Sequence, residues 1–155
     1  PVVGVGKISD VFAGRDVTRS EPTSSNAEGI AITERLLAEL DEGFIFVNLV
    51  ETDMLFGHRN DPRGFHACLQ EFDRALPALL GWLRADDLLV LTSDHGCDPT
   101  TPSTDHSREH ALLVVHAPSR GLGPRHDGWF PDVGATVADW LGARDSALPG
   151  APIRW

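Results

Sequence analysis

The chain has 155 residues, 41% of them hydrophobic, with 13 Lys or Arg against 23 Asp or Glu and a formal charge of −10. That apolar share suffices for one domain-sized core and is too high for a disordered chain. The acidic balance argues against a nucleic-acid binder, which needs a basic stripe to displace counterions, and no apolar run is long enough to span a membrane.

The opening Pro1-Val2-Val3 carries neither an initiator Met nor a signal-peptide pattern, and it enters strand-like sequence at once. A segment upstream is therefore expected. Cys68 and Cys97 make no metal-binding spacing. Two thiols suit a reducing, cytoplasmic setting better than a disulfide scaffold, and each reads as a small buried hydrophobe.

In chain order, Val2–Val5 reads as a short buried strand followed by a Gly-rich connection to Gly14. Residues 15–25 are polar and read as a surface loop. Ser25 or Asn26 caps a helix through Leu40, with Ile30, Leu36, Leu37 and Leu40 on its apolar side and Gly43 as its stop. Phe44–Val50 is a strand interrupted only by Asn48, and a run apolar on both faces suits a parallel sheet. Asp61 and Pro62 open a second helix carrying Phe65, Leu69, Phe72 and Leu76, which Pro77 is expected to kink or break before a further segment to Arg84. Leu88–Ser93 and Ala111–His116 read as strands. Asp132 is the expected N-cap of a last helix, with Val133, Val137, Trp140 and Leu141 facing inward and Gly142 ending it. The tail from Ala143 is loop-like, with Ile153 and Trp155 as residues able to dock. The alternation predicts an α/β fold, a layered α/β/α arrangement around a mostly parallel sheet.

Ligands of open α/β sheets sit outside the carboxyl ends of the strands. Two polar clusters fall there: Glu51-Thr52-Asp53-Met54-Leu55-Phe56-Gly57-His58 after the Phe44 strand, and Asp94-His95-Gly96-Cys97-Asp98 after the Leu88 strand, leading into Thr104-Asp105-His106. A carboxylate with imidazoles is a donor set that Mn²⁺, Zn²⁺ or Mg²⁺ accepts. Asp53 and His58 are five apart across a glycine, so one loop can turn both towards one ion. A single Asp-His pair is ordinarily solvated surface, but three at or just beyond strand ends are less easily accidental. His66, His110, His116 and His126 read as packing, solvated or at most orienting residues, and Asp98 and Asp105 as residues that orient ligands. Lys7 follows Gly4-Val5-Gly6, yet the glycine spacing and Ile8 rule out a Walker loop.

Three segments together resemble the phosphopentomutase family of the alkaline-phosphatase-like metalloenzymes: 48–59 (NLVETDMLFGHR), 92–99 (TSDHGCDP) and 104–109 (TDHSRE). The opening 4–14 (GVGKISDVFAG) and the late 132–138 (DVGATVA) resemble it too, so the similarity reaches from near the start to about Gly142. The resemblance implies an alkaline-phosphatase-like core, present in part, and two Mn²⁺, with Mg²⁺ or Zn²⁺ as substitutes. Asp53, His58 and His106 match the protein ligands of one ion, and Asp94 and His95 match two ligands of the other. Lys7 is placed near the substrate phosphate. The family's nucleophilic Thr and one further Asp ligand lie upstream of anything in these residues, as does the cap that holds much of the sugar phosphate.

Residues 1–155 are therefore expected to be the C-terminal portion of the metal-binding core, without the N-terminal core segment and the cap. The implied reaction interconverts the 1- and 5-phosphates of ribose and deoxyribose through a phosphoenzyme. A pentose phosphate is the substrate, and the isolated chain is inactive. The alternatives are another phosphomutase or phosphatase of the same superfamily, or a truncated product that binds metal without turnover.

Overall fold

The computed structural model describes residues 1–121, 123 and 125–154; the docking expected of Trp155 lies outside them. The chain divides into two compact units, one of Pro1–Leu83 with Gly96–Glu109, the other of Arg84–His95 with the stretch from His110 onward.

The first unit is built on three parallel strands, β1 (Val2–Val5), β2 (Arg19–Glu21) and β3 (Phe44–Val47), in the order β2-β1-β3. Helix α1 (Ile8–Val11) is a single turn, α2 spans Asn26–Glu39 and α3 spans Pro62–Trp82. Strand alternation sorts the sheet into two faces. Val3 and Val5 are fully buried against Leu36 of α2, with Ile32, Leu40, Ile45 and Val47 packed around them. On the opposite face Gly4 admits Ile8 of α1, and Phe12, Phe46 and Phe44 follow one another at ring separations of 6.1 and 5.4 Å. Helices thus flank both faces, as the alternation predicts. Ser25 is the cap of α2, its hydroxyl accepting from the Glu28 N–H at 3.1 Å, and Asp61 caps α3 by accepting from Gly64 at 3.0 Å.

Two expectations are corrected in this unit. Residues 19–21, read as loop, form the edge strand β2. Its charges read as surface in sequence, but Arg19 and Glu21 are joined with Arg35 and Glu39 of α2 in four ion pairs of 2.6–3.1 Å. Exposed pairs of this kind add little stability. Pro77, expected to kink or break the helix before a further segment, lies inside the single helix α3. Cys68 before it and Leu79 after it are both buried, so packing on either side supports a continuous helix despite the lost N–H.

The second unit pairs β4 (Leu89–Thr92) with β5 (Leu113–His116) antiparallel and carries α4 (Phe130–Trp140). Asp132 is not the N-cap expected of it. Trp129 occupies that position, and Asp132, three residues on, reaches back to accept the Trp129 N–H at 3.0 Å. The same carboxylate accepts the Ala151 N–H at 2.9 Å and lies 3.2 Å from His126 Nε2, while Thr136 Oγ1 accepts from Ile153 at 2.9 Å. These bonds dock the tail on α4, whose buried residues are Asp132, Ala135 and Thr136, with Val133, Val137 and Trp140 half-buried and Leu141, expected to face inward, exposed. Ile153 is buried, as the docking expectation requires. His126, read as a loop residue, is one end of this clasp.

The Asp132 carboxyl is held below the ordinary range, first by the Trp129 N–H, then by Ala151 and His126. Unfolded, it titrates near ~3.9, so its stabilisation is fully present above that pH and is lost as pH falls through the depressed folded value. Thermal melts should show the gap between wild type and Asp132→Asn widest near neutrality and narrowing below about pH 4; a gap constant with pH would refute the clasp.

Candidate metal centre

The centre starts where β3 ends. The Asn48 N–H makes the last sheet bond, to the Val5 carbonyl at 3.0 Å, and the chain then turns to the N-terminus of α2. There Asn26 and Glu51 hold each other twice, the Asn26 N–H donating to Glu51 Oε2 at 2.8 Å and the Glu51 N–H to Asn26 Oδ1 at 3.2 Å. A carboxylate at a helix N-terminus is favoured by the unpaired N–H groups there. Beyond this clamp, Thr52–Gly57 forms one wide π-helical turn, closed by His58 N–H to Asp53 carbonyl and Asp61 N–H to Phe56 carbonyl bonds, both 3.0 Å. Such turns recur at functional sites. This one brings Asp53 and His58, five apart, side by side, as their spacing suggests.

His106 arrives on a separate arm. Gly96 bridges Ser107 antiparallel, accepting its N–H at 3.0 Å. The approach requires glycine, because a Cβ on Gly96 would fall onto the Glu109 carbonyl and within 2.8 Å of that of Ser107. Asp98, expected to orient a ligand, instead shapes the loop by accepting from the Thr100 N–H and hydroxyl at 2.9 and 2.6 Å. Asn60 Nδ2 donates to the Thr101 carbonyl at 3.1 Å and ties the loop to the end of the π-turn.

The outcome is a compact triad. Asp53 Oδ2 lies 3.2 Å from His58 Nε2, Asp53 Oδ1 lies 3.8 Å from His106 Nε2, and the imidazole centroids are 5.0 Å apart. One donor atom from each residue falls within 4.8 Å of the others, the only such set among the described residues. His58 Nδ1 stands 2.6 Å from the Thr104 carbonyl. A carbonyl only accepts, so Nδ1 carries the proton and Nε2 is the nitrogen offered to Asp53. Asp53 Oδ1 is buried and accepts no hydrogen bond. A buried carboxylate oxygen without a donor, beside two imidazole nitrogens, is a donor set that suits a divalent cation.

The other residues singled out in sequence are placed as follows. Asp94 and His95 lie just past β4 in the second unit, 3.5 Å apart, with the Asp94 side chain 80% exposed. Lys7 Nζ is 2.9 Å from the Met54 Sδ, on the residue next to Asp53. Cys68 is buried, with its sulfur 3.2 Å from Thr52 Oγ1 and 3.4 Å from Asn26 Nδ2. Cys97 is half-buried, and burial together with the charge of Asp53 pushes its thiol up, so it stays neutral. Sequence reasoning missed Thr104, whose backbone oxygen leaves no side-chain signal, and the paired roles of Asn26 and Glu51.

A model of the metalloenzyme superfamily matches residues 5–145. The chain belongs to this superfamily. Within it, the chain is similar to proteins named phosphopentomutase: 60% identical over 147 residues to one from an Anaeromyxobacter species, 53% over 147 to one from Deinococcus radiodurans and 52% over 144 to one from Dictyoglomus turgidum. These alignments cover 93%, 92% and 90% of this chain. The chain spans 36–37% of the length of these curated relatives. No helix among the described residues is long and apolar enough to cross a membrane.

The Thr104 carbonyl first, and the Asp53 charge second, raise the pKa of His58 above its ordinary value. Protonation of His58 therefore stabilises the metalloenzyme fold below about pH 6.5, and that contribution is lost as pH rises through the raised value. In chelator-treated protein, NMR titration should place His58 above about 6.5, and Asp53→Asn should lower it part of the way. No movement on that substitution would contradict the pairing.

Proposed function

We propose that the chain is the metal-binding, C-terminal portion of a phosphopentomutase core, the rest of that core and the cap being supplied by the remaining length that its relatives possess. In this reading Asp53, His58 and His106 hold one Mn²⁺, and Asp94 and His95 supply two ligands to a second. The observation that carries it is the triad itself: Asp53 Oδ1 is buried with no hydrogen-bond donor, between imidazoles whose Nε2 atoms lie 3.2 and 3.8 Å from the carboxylate.

Each residue has a definable task. The Thr104 carbonyl holds the His58 proton on Nδ1, which keeps Nε2 free to coordinate and fixes the ring plane, as partners of ligating histidines do elsewhere. Asp53 supplies the negative charge that makes the set selective for a cation. Bound divalent ions would supply Lewis acidity, neutralising negative charge as a phosphoryl group is transferred. Lys7 is suited to the phosphate. Its ammonium has three donors, and its described partner is a thioether, a weak acceptor that an anionic oxygen readily displaces.

The full reaction in this reading interconverts ribose or deoxyribose 1-phosphate and 5-phosphate through a phosphoenzyme, in the cytoplasm. The nucleophilic Thr is assigned to the part of the relatives that this chain does not span. The isolated chain is accordingly inactive. A pentose phosphate is the substrate, with neither nucleic acid nor membrane as partner.

Calorimetric titration with Mn²⁺ should show binding that Asp53→Ala weakens by at least about tenfold, the scale of losing one ligand or its support; equal affinity in the two proteins would sink the assignment. The same samples should give no turnover of ribose 5-phosphate with Mn²⁺ present, and turnover by the 155 residues alone would overturn the placement of the nucleophile outside them. Lys7→Ala should weaken binding of ribose 5-phosphate while leaving Mn²⁺ affinity unchanged.

A further inference from the structure

Cys97 lies at the junction of the two segments that make the triad. It follows Gly96, whose bridge to Ser107 sets the arm carrying His106, and its sulfur faces the π-turn carrying Asp53 and His58. The turn meets it with a buried glycine. A Cβ on Gly57 would stand 2.7 Å from Cys97 Sγ, 3.3 Å from Asp53 Oδ1 and 3.5 Å from the Thr52 carbonyl. The thiol is therefore seated against a bare Cα, and Asp53 Oδ1 borders the same space.

Cys97 belongs to no group of potential ligands among the described residues. A thiol in this position works by its volume. It fills the space between arm and turn, so the separation of Asp53 from His106 depends on its size, and the absence of a side chain at Gly57 is what admits it.

We propose that Cys97 is a positioning residue for the metal centre: its sulfur, seated on Gly57, sets the spacing between the Asp53–His58 turn and His106, and it coordinates nothing itself. The inference rests on the metal reading above. It assigns Gly57 and Cys97 as a lock-and-wedge pair, in which a methyl added on one side is compensated by a sulfur removed from the other.

The test is a double-mutant cycle on the full 155-residue chain, read by Co²⁺ and Mn²⁺ affinity and by the visible spectrum of the Co²⁺ form, which reports ligand geometry. Gly57→Ala should weaken binding roughly tenfold or more, the scale seen when the support of a metal ligand is lost. Cys97→Ala should weaken it by a smaller factor and change the Co²⁺ spectrum without removing a sulfur-to-metal charge-transfer band, because wild type has none. The Gly57→Ala/Cys97→Ala protein should regain most of what Gly57→Ala lost. Additive losses in the cycle overturn the proposal, as does a charge-transfer band in wild type. If Gly57→Ala does not fold, Cys97→Ala alone decides: an affinity and spectrum identical to wild type overturn the wedge. Absence of binding by wild type removes the metal reading, and this inference with it, whereas binding by wild type that is indifferent to Cys97 removes only this inference.

Discussion

A buried carboxylate oxygen with no hydrogen-bond donor, facing imidazole nitrogens, is the constraint on which the first unit is organised. Asp53 Oδ1 is buried without a hydrogen-bond donor although the imidazoles beside it are open to solvent, and a carboxylate oxygen in that state favours a cation nearby. The Nε2 atoms of His58 and His106 stand 3.2 and 3.8 Å from that same carboxylate, which gathers the donors into one region. In the metal reading a divalent ion would supply that cation, and without one the Thr104 carbonyl first and the Asp53 charge second raise the pKa of His58.

Everything around the triad serves to keep those groups together against their tendency to separate. The parallel sheet provides a rigid base through Val3, Val5 and Leu36, each fully buried, and β3 delivers the chain to the carboxyl end of the sheet. The Asn26–Glu51 clamp then borrows the N-terminus of α2 to fix where the π-turn begins. From the other side, the Thr104 carbonyl, the Gly96–Ser107 bridge and the Cys97 thiol hold the arm in place. Four small devices, each local and weak, thus enforce one electrostatically demanding cluster.

The legible part of the fold was the part encoded over a few residues. Ser25 and Asp61 as caps, α2 and α3 as helices, the buried strand at Val2 and a strand at Phe44 follow from spacing and capping chemistry, which act within a turn or two. The failures came where partners are distant. Arg19–Glu21 reads as loop until Arg35 and Glu39 neutralise it, Pro77 reads as a kink or break until buried residues on either side of it support α3, and Asp132 reads as a cap until the tail claims its second oxygen.

The same division holds at the site. Sequence by itself determined that Asp53 and His58 could share an ion, because a wide turn closing across five residues is a local property of the chain. It also marked His106, Asp94 and His95 as donors, and, through resemblance, Lys7 as a phosphate contact. Only the tertiary structure decided which of these meet. His58 finds its tautomer in a carbonyl 46 residues away, and His106 reaches Asp53 only because Gly96 and Gly57 leave room for backbone and sulfur. Donor identity is written in side chains one at a time, whereas the distance between donors is set by packing between segments remote in sequence, where the missing atoms of two glycines count as much as the atoms present.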